Sequence, residues 1–236
     1  MERPAPTPAA PRTIPLSLFA ASLLYGGLCV LAGVLGTKIA DLGQWPVVGH
    51  LAVESGIFAF LTLVVLASAT AELHGTATAN RLVRLGFVPL IVSMLLLMLV
   101  IHVVPPAPFW HDQEAFARLL GQGARMQLAG LVSYGTSQTL NVAVFARLAG
   151  RGGHGSALWL RAWIASLLSQ AVDTMLFITI SFAGVHDAAT GQPIPILTLM
   201  TGQIIAKMLL STLMVPVLIQ LAVLLGRKLD APCENV

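Results

Sequence analysis

Residues 137–145 read SQTLNVAVF and residues 169–177 read SQAVDTMLF, so the chain carries nearly the same pattern twice. Each copy lies inside an apolar stretch and places a glutamine three residues before an asparagine or an aspartate. Because three residues make almost one helical turn, the two polar side chains of a copy share a helix face. Polar groups are costly to bury in a bilayer, so the repeat predicts a polar lining. The four residues are Gln138, Asn141, Gln170 and Asp173.

The composition indicates a helical membrane protein. Hydrophobic residues make up 56% of the chain, charged residues only 10%, and the mean hydropathy is +0.85, all outside the range of soluble domains. The apolar runs are too long for β-barrel strands and do not alternate, which predicts membrane-spanning helices and an all-α fold.

The chain divides into six predicted spans between two predicted cytoplasmic tails. Residues 1–15 form a Pro- and Ala-rich tail predicted to be disordered, residues 16–225 a single six-helix transmembrane domain, and residues 226–236 a second tail. Pro89 and Pro216 are candidate kinks. The predicted spans are Leu16–Lys38, Val47–Ala71, Leu82–Val104, Arg125–Arg147, Leu158–Ala183 and Ile196–Leu225.

The distribution of Lys and Arg predicts that both termini are cytoplasmic. Basic residues mark cytoplasmic loops, and they occur in both tails and in the second and fourth joints, whereas the joint of residues 184–195 has none. In the longest joint, the stretch Asp112–Leu120 is predicted to form an amphipathic turn at the interface.

The sequence predicts no cofactor, no metal site and no catalytic residues. Cys29 lies in the first span and Cys233 in the second tail, which argues against a disulfide. The chain has no Cys/His cluster with metal-ligand spacing and no Gly-rich phosphate loop.

Ionisable residues at membrane depth are the strongest site candidates. Asp173 lies midway along the fifth predicted span, where its carboxylate could contact a ligand or pair with Lys207. Lys207 of the sixth span is interpreted as a counter-ion or as a ligand donor, with a purely structural ion pair almost as plausible. Gln203, four residues earlier, shares its face.

The remaining candidates have competing structural roles. Gln138, Asn141 and Gln170 could line a site or hydrogen-bond between helices. Glu54, placed about seven residues into the second predicted span, could face a substrate vestibule or meet Arg125. The other candidate, Arg161, is also explained as a cytoplasmic anchor. No histidine is assigned a ligand role.

Residues 158–161 (LWLR), residues 169–174 (SQAVDT) and Phe177 together resemble the signature region of the queuosine-precursor transporters, which are also grouped as a vitamin-uptake-transporter-like family. The likeness spans all six segments and is specific from about Arg125 to Gly184. Positions that depart from the family pattern are Gly33, Ala67, Ser68, Asn141, Ala162 and Trp163.

This resemblance implies uptake of 7-cyano- or 7-aminomethyl-7-deazaguanine across a bacterial cytoplasmic membrane. It also implies a helix plan similar to the substrate-binding subunits of energy-coupling-factor transporters. A carboxylate accepts both donors of a guanine edge, which suits Asp173, and glutamine amides suit the carbonyl or ring nitrogen. The expected partners are this small molecule, the bilayer, and a second copy or an energising ATPase module, with no nucleic acid.

Three alternatives remain at this stage. The chain could be the membrane subunit that binds another vitamin-like or purine-like molecule. It could be an intramembrane enzyme, although it has no nucleophile turn, paired catalytic aspartates or His-rich metal site. It could also be a structural membrane protein, against which the mid-membrane Asp173 and Lys207 argue.

Overall fold

The computed structural model describes residues 14–46, 49–151, 158–187 and 189–231. Helices dominate this part of the chain, as predicted, and one two-stranded sheet accompanies them. The most N-terminal part of the predicted first tail and residues 232–236 lie outside the described residues. The helices are α1 Leu16–Gly36, α2 Ile57–His74, α3 Thr76–His102, α4 Gln113–Arg151, α5 Leu158–Phe182, α6 Ile196–Leu213 and α7 Val215–Asp230; the strands are β1 Ile39–Trp45 and β2 Gly49–Glu54.

The sheet is a hairpin that connects α1 to α2. Its strands are antiparallel, and a register shift occurs between Asp41 and Gly43. Gly43 and Gly49 both have a φ of 80°, a conformation that a residue with a Cβ rarely adopts. Val47 itself lies outside the described residues. The prediction that the second helix begins there was wrong, because residues 49–54 form a strand and α2 begins only at Ile57.

The apolar helices have the length that a bilayer requires. α1, α2 and α3 are each apolar and long enough to span, and α6 and α7 together meet the same test as one bent span. These three or four candidate spans establish a mostly helical membrane architecture.

α4 is much longer than the predicted fourth span. It has 39 residues, or roughly 58 Å of helix, and it begins at Gln113 instead of Arg125. The amphipathic stretch predicted at Asp112–Leu120 is therefore mostly the first part of a continuous helix. Trp110 precedes it and packs edge-on against Phe116, with 5.7 Å between the ring centroids.

The last predicted span is interrupted. α6 ends at Leu213, α7 begins at Val215, and the two axes meet at 53°. Pro216 lies at the start of α7, where its missing N–H costs no helical hydrogen bond. The predicted kink at Pro216 is thus a break, whereas α3 continues through Pro89. α7 also extends to Asp230, beyond the predicted end at Leu225.

Hydrophobic clusters hold the helices and the hairpin together. One cluster joins β2, α2, α6 and α7, a second joins α1 to α3, and a third joins α4, α5 and α6. The first cluster fixes the hairpin against the helices that carry the polar candidates. Its buried members are Val53, Ile57, Leu61, Val65, Ala206 and Val215.

Three helix ends meet in a polar group that we call the helix-end cluster, formed by Ser17, His74 and Asp230. Asp230 accepts hydrogen bonds from the Ser17 N–H at 2.9 Å and from the Ser17 hydroxyl at 2.6 Å. His74 Nε2 lies 2.7 Å from the same hydroxyl oxygen. Because Pro15 gives α1 no side-chain cap, Asp230 serves as the N-terminal cap of α1 from another helix.

The C-terminal end of α5 is capped in the same way, from α4. Arg125 donates to the carbonyls of Ile180 and Ala183, both at 2.6 Å, and Gln122 donates to the carbonyl of Ser181 at 2.7 Å. These carbonyls have no partner further along their own helix, and a guanidinium also suits the negative end of the helix dipole.

Candidate functional site

One face of α6 carries two polar residues that contact other elements. Gln203 and Lys207 are four residues apart, so they share a face and are separated by about 6 Å along the axis. Gln203 contacts the hairpin and Lys207 contacts α5. α6 therefore brings two polar contacts into the bundle, one on each of two successive turns.

Lys207 forms an ion pair with Asp173 of α5. The distance from Lys207 Nζ to Asp173 Oδ2 is 3.2 Å, and the side chains are only 12% and 16% exposed. The same ammonium lies 3.3 Å from the Thr174 hydroxyl and 5.0 Å from the centroid of the Phe60 ring. The lysine is thus held by a carboxylate, a hydroxyl and an aromatic face.

Gln203 pairs with Glu54, the last residue of β2. Gln203 Nε2 donates to Glu54 Oε2 at 3.4 Å, and the Gly56 N–H donates to Oε1 at 2.7 Å. Glu54 is 3% exposed and Gln203 is 2% exposed, so this contact is more deeply buried than the ion pair. Gln203 Oε1 is buried and accepts no hydrogen bond from the part of the chain that the structure describes.

Burial raises the pKa of the Glu54 carboxyl, which lies outside the spanning helices, from 4.5 to about 7. The Gly56 N–H, the Gln203 amide and the positive charge of Lys207 all favour the ionised form, and burial outweighs them. Glu54 can therefore change its charge near neutral pH.

Two glycines allow the hairpin to approach the helices so closely. A Cβ at Gly36 would overlap Glu54 Oε1, and a Cβ at Gly202 would overlap the carbonyl oxygen of Ala52. The hairpin is thus seated directly on the backbone of α6, one residue before Gln203.

The structure brings four of the predicted site residues together, in two contacts: Asp173 with Lys207, and Glu54 with Gln203. Gln170 lies on α5 and is exposed. For Gln138, Asn141 and Arg161, the side chains lie outside what the structure describes.

The predicted environment of Glu54 needs two corrections. It ends a strand instead of lying seven residues into a helix. The suggested contact with Arg125 is also replaced, because the Arg125 guanidinium donates to the carbonyls at the end of α5. Glu54 therefore contacts the Gln203 amide and not the Arg125 guanidinium, which was one of the two predicted environments.

Sequence reasoning missed several polar contacts. Thr174 contacts Lys207, and its position next to Asp173 in the repeat could have indicated this contact. The sequence around Phe60 does not indicate its contact with Lys207, because that contact depends on how α2 packs against α6. Asp230 falls in the predicted second tail, yet it contacts His74 at the end of α2 and Ser17, which lies 213 positions away in the chain.

An open cavity of about 430 Å³ lies at the other end of α2 and is lined by His74 and Asp230 of the helix-end cluster. Its walls include Leu16, Leu73 and Leu229, and it is far along α2 from Phe60. We place the functional site at α6 because polar side chains from β2, α5 and α6 converge there.

Comparison with known proteins identifies the family. The family model described as "Putative vitamin uptake transporter" matches residues 54–221. The "Probable queuosine precursor transporter" of Bacillus subtilis (strain 168) is 31% identical over 117 residues, which cover 50% of this chain and 51% of that relative. The chain thus spans about half the length of this curated relative.

No solved structure matches the chain. The family match begins at Glu54 and continues through α2 to α6 into α7, so it includes every residue of the two polar contacts. The chain therefore belongs to the vitamin uptake transporter family, whose members are membrane proteins that take up a small molecule.

Proposed function

We propose that this protein imports a queuosine precursor, 7-cyano- or 7-aminomethyl-7-deazaguanine, across the bacterial inner membrane. The observation that carries the proposal is the Asp173–Lys207 ion pair with the Phe60 ring beside it. The name of the relative from Bacillus subtilis supports this substrate. The alternative is another vitamin-like or purine-like molecule, which the name of the family favours.

The chemistry of the ion pair fits a 7-deazaguanine. The purine-like edge presents an N–H and an NH₂ side by side, and a carboxylate accepts both. Lys207 contacts Oδ2 of Asp173 and donates at the same time to Thr174, so it can keep one oxygen while the ligand is bound. The face of the Phe60 ring opposite Lys207 would stack on the planar ring of the ligand. Gln203 extends the polar surface along α6, and Gln138, Asn141, Gln170 and Arg161 remain proposed contacts.

We further propose that the chain crosses the membrane six times, through α1 to α5 and the bent α6–α7 pair. The lengths of the helices support this, and the 16-residue apolar run Leu167–Phe182 supports a span in α5. The helix-end cluster supports a position of both termini on the same side, since it holds the start of α1 beside the end of α7. The distribution of Lys and Arg supports the cytoplasmic side. The likeness to energy-coupling-factor subunits stays a prediction, as do a second copy or an ATPase module as partners.

Thermal unfolding of the purified protein tests the substrate. At a hundred times its dissociation constant, a ligand stabilises the native state by about 2.7 kcal/mol. The two 7-deazaguanines should raise the unfolding temperature, while riboflavin and biotin should not. A response to a vitamin without a response to the deazaguanines would overturn the substrate and leave the family assignment intact.

The variant Asp173→Asn tests the site. It removes the charge that accepts the two donors and should weaken deazaguanine binding by about tenfold or more, since hydrogen bonds to charged groups contribute roughly 1.5–3 kcal/mol. The matched control is Asp187→Asn, in the exposed turn after α5. Unchanged affinity in Asp173→Asn would refute the role of this carboxylate.

A further inference from the structure

Two carboxylates and one lysine make up the charged part of the site. Asp173 and Lys207 neutralise each other. Among the described residues, the ion pairs involve Asp41, Asp173 and Asp230, but not Glu54. Glu54 is therefore a deeply buried carboxylate whose charge no adjacent cation compensates.

The two oxygens of Glu54 differ in their hydrogen bonding. Oε1 accepts a short bond from the Gly56 N–H at 2.7 Å, while Oε2 faces the Gln203 amide at 3.4 Å. Because Oε2 is the less stabilised oxygen, it is the atom on which a proton would settle.

Gln203 can serve both charge states of its partner. With its NH₂ towards Glu54 it donates to the carboxylate, and its buried Oε1 then accepts nothing from the described residues. After rotation of the amide, Oε1 accepts the O–H of a neutral Glu54. The two ends of an amide differ only by such a rotation, so the unpaired oxygen has a role once Glu54 is protonated.

The charged groups around Glu54 are few. Lys207 of α6 acts on it electrostatically, and Asp173 lies beyond that lysine. Lys38 contributes its backbone carbonyl, which accepts from the Ser55 N–H at 2.9 Å. Arg125 of α4 is engaged by the end of α5. Gly36 of α1 and Gly56, just before α2, lie beside the Glu54 carboxyl, and Met126 of α4 lies next to Gly36.

The net charge of the site therefore depends on Glu54 alone. With Glu54 protonated, the remaining Asp173 and Lys207 sum to zero; with Glu54 ionised, one negative charge is uncompensated. An uncompensated charge resists movement through an apolar bundle, so the neutral form is the one that can rearrange. The pKa of about 7 places this exchange near neutral pH.

On the basis of the proposed transport function, we propose that Glu54 binds a proton at Oε2 from the hairpin side and releases it on the other side in each transport cycle. Uptake is then driven by an inward proton gradient. With one proton per substrate molecule, a gradient of one pH unit supports about tenfold accumulation.

Proteoliposomes loaded with wild-type protein test this with radiolabelled 7-aminomethyl-7-deazaguanine. The measured quantity is the ratio of accumulation with an inward proton gradient to accumulation without one. With an inward gradient of one pH unit, we expect an accumulation ratio of about ten for the wild type and about one for Glu54→Gln. The control is Asp41→Asn, an exposed carboxylate of the same hairpin, which should keep the wild-type ratio. A wild-type ratio of one, or a retained response in Glu54→Gln, would overturn the proposal.

An infrared titration tests the same group without any substrate. The carbonyl band of a protonated carboxylic acid should appear and disappear across neutral pH in the wild type and in Asp41→Asn. It should be absent from Glu54→Gln, and in Gln203→Leu it should titrate at a different pH. A wild type without this band would refute proton binding at Glu54.

These outcomes separate the two proposals. Failure of the deazaguanines to bind would overturn the substrate while the infrared band still tests the proton. If the deazaguanine binds and is transported but its accumulation does not depend on the proton gradient, the proposed function stands and proton coupling is refuted. Should Glu54→Gln fail to fold, the shifted titration of Gln203→Leu carries the same test.

Discussion

Asp173 and Glu54 are both carboxylates held against α6, one turn apart, yet their environments differ in kind. Asp173 has a lysine at 3.2 Å and its side chain is 16% exposed. Glu54 is buried more deeply and contacts an amide and a backbone N–H. Asp173 therefore has a defined counter-ion, while Glu54 has no adjacent cation and can lose its charge near neutral pH.

The largest effect on stability should come from breaking the ion pair between Asp173 and Lys207. Lys207→Ala leaves Asp173 without its counter-ion, and removing one partner of a buried ion pair destabilises a protein by about 3–5 kcal/mol. Thermal unfolding in detergent should show a correspondingly lower midpoint. Lys228→Ala, on the exposed end of α7, is the matched control and should change little. If the unfolding midpoint of Lys207→Ala equals that of Lys228→Ala, the ion pair contributes nothing to stability.

The next largest effect concerns the pH dependence that only the uncompensated carboxylate should produce. Because folding raises the Glu54 pKa from 4.5 to about 7, the folded state holds this proton more tightly than the unfolded chain does. Stability from this group is complete below about 4.5 and falls as the pH rises through about 7, by about 3 kcal/mol in all.

Glu54→Gln should remove this slope, because the amide does not titrate. Unfolding midpoints of the wild type, Glu54→Gln and Asp41→Asn, measured across this pH range, provide the check. An identical slope in wild type and Glu54→Gln would assign the pH dependence to another group.

A smaller effect should follow from pushing the hairpin away from α6 without touching Asp173. Gly202→Ala places a methyl group against the Ala52 carbonyl, and overpacking of this kind costs about 1–3 kcal/mol. Gly27→Ala is the control, since a Cβ there meets nothing within 4 Å and favours the helix. The infrared band of Glu54 should shift in Gly202→Ala only. An unshifted band would mean that the hairpin seat does not determine the environment of Glu54.

The smallest effect should be seen at the far end of the bundle. Asp230→Ala removes the carboxylate that caps α1, and loss of an N-cap costs about 1 kcal/mol. Ligand affinity should stay at the wild-type value, because the helix-end cluster is remote from Lys207. Parallel measurement of the unfolding midpoint and of deazaguanine binding tests this. Weakened binding in Asp230→Ala would show that the two ends are coupled.

The helices were predictable and the hairpin was not. Apolar runs predicted three helix starts correctly, at Leu16, Leu158 and Ile196. The predicted starts at Val47, Leu82 and Arg125 were wrong, because α2, α3 and α4 begin at Ile57, Thr76 and Gln113. The hairpin escaped because its second strand is itself apolar and continues directly into α2. The signal for a hairpin in this part of the sequence is the pair of glycines at 43 and 49, which adopt a positive φ. That signal is weak, because glycines also occur within the predicted spans.

The site was predictable as a set of residues more than as a set of contacts. The ion pair of Asp173 and Lys207 had been one of two interpretations, because two opposite charges in neighbouring spans gain by meeting. The contact between Glu54 and Gln203 depends on a strand at a place where the apolar sequence predicts a helix. Thr174 and Phe60 join the site through tertiary packing, which periodicity does not report.

The capping of α1 by Asp230 has a consequence for synthesis of the chain. Ser17 and Asp230 are 213 residues apart, so α1 leaves the ribosome and enters the membrane long before its capping carboxylate exists. During translation the first helix must rely on its apolar sequence alone. The hydrogen bonds between Ser17 and Asp230 can form only after α7 has been synthesised and has packed beside α1, so their presence indicates that α7 is in place.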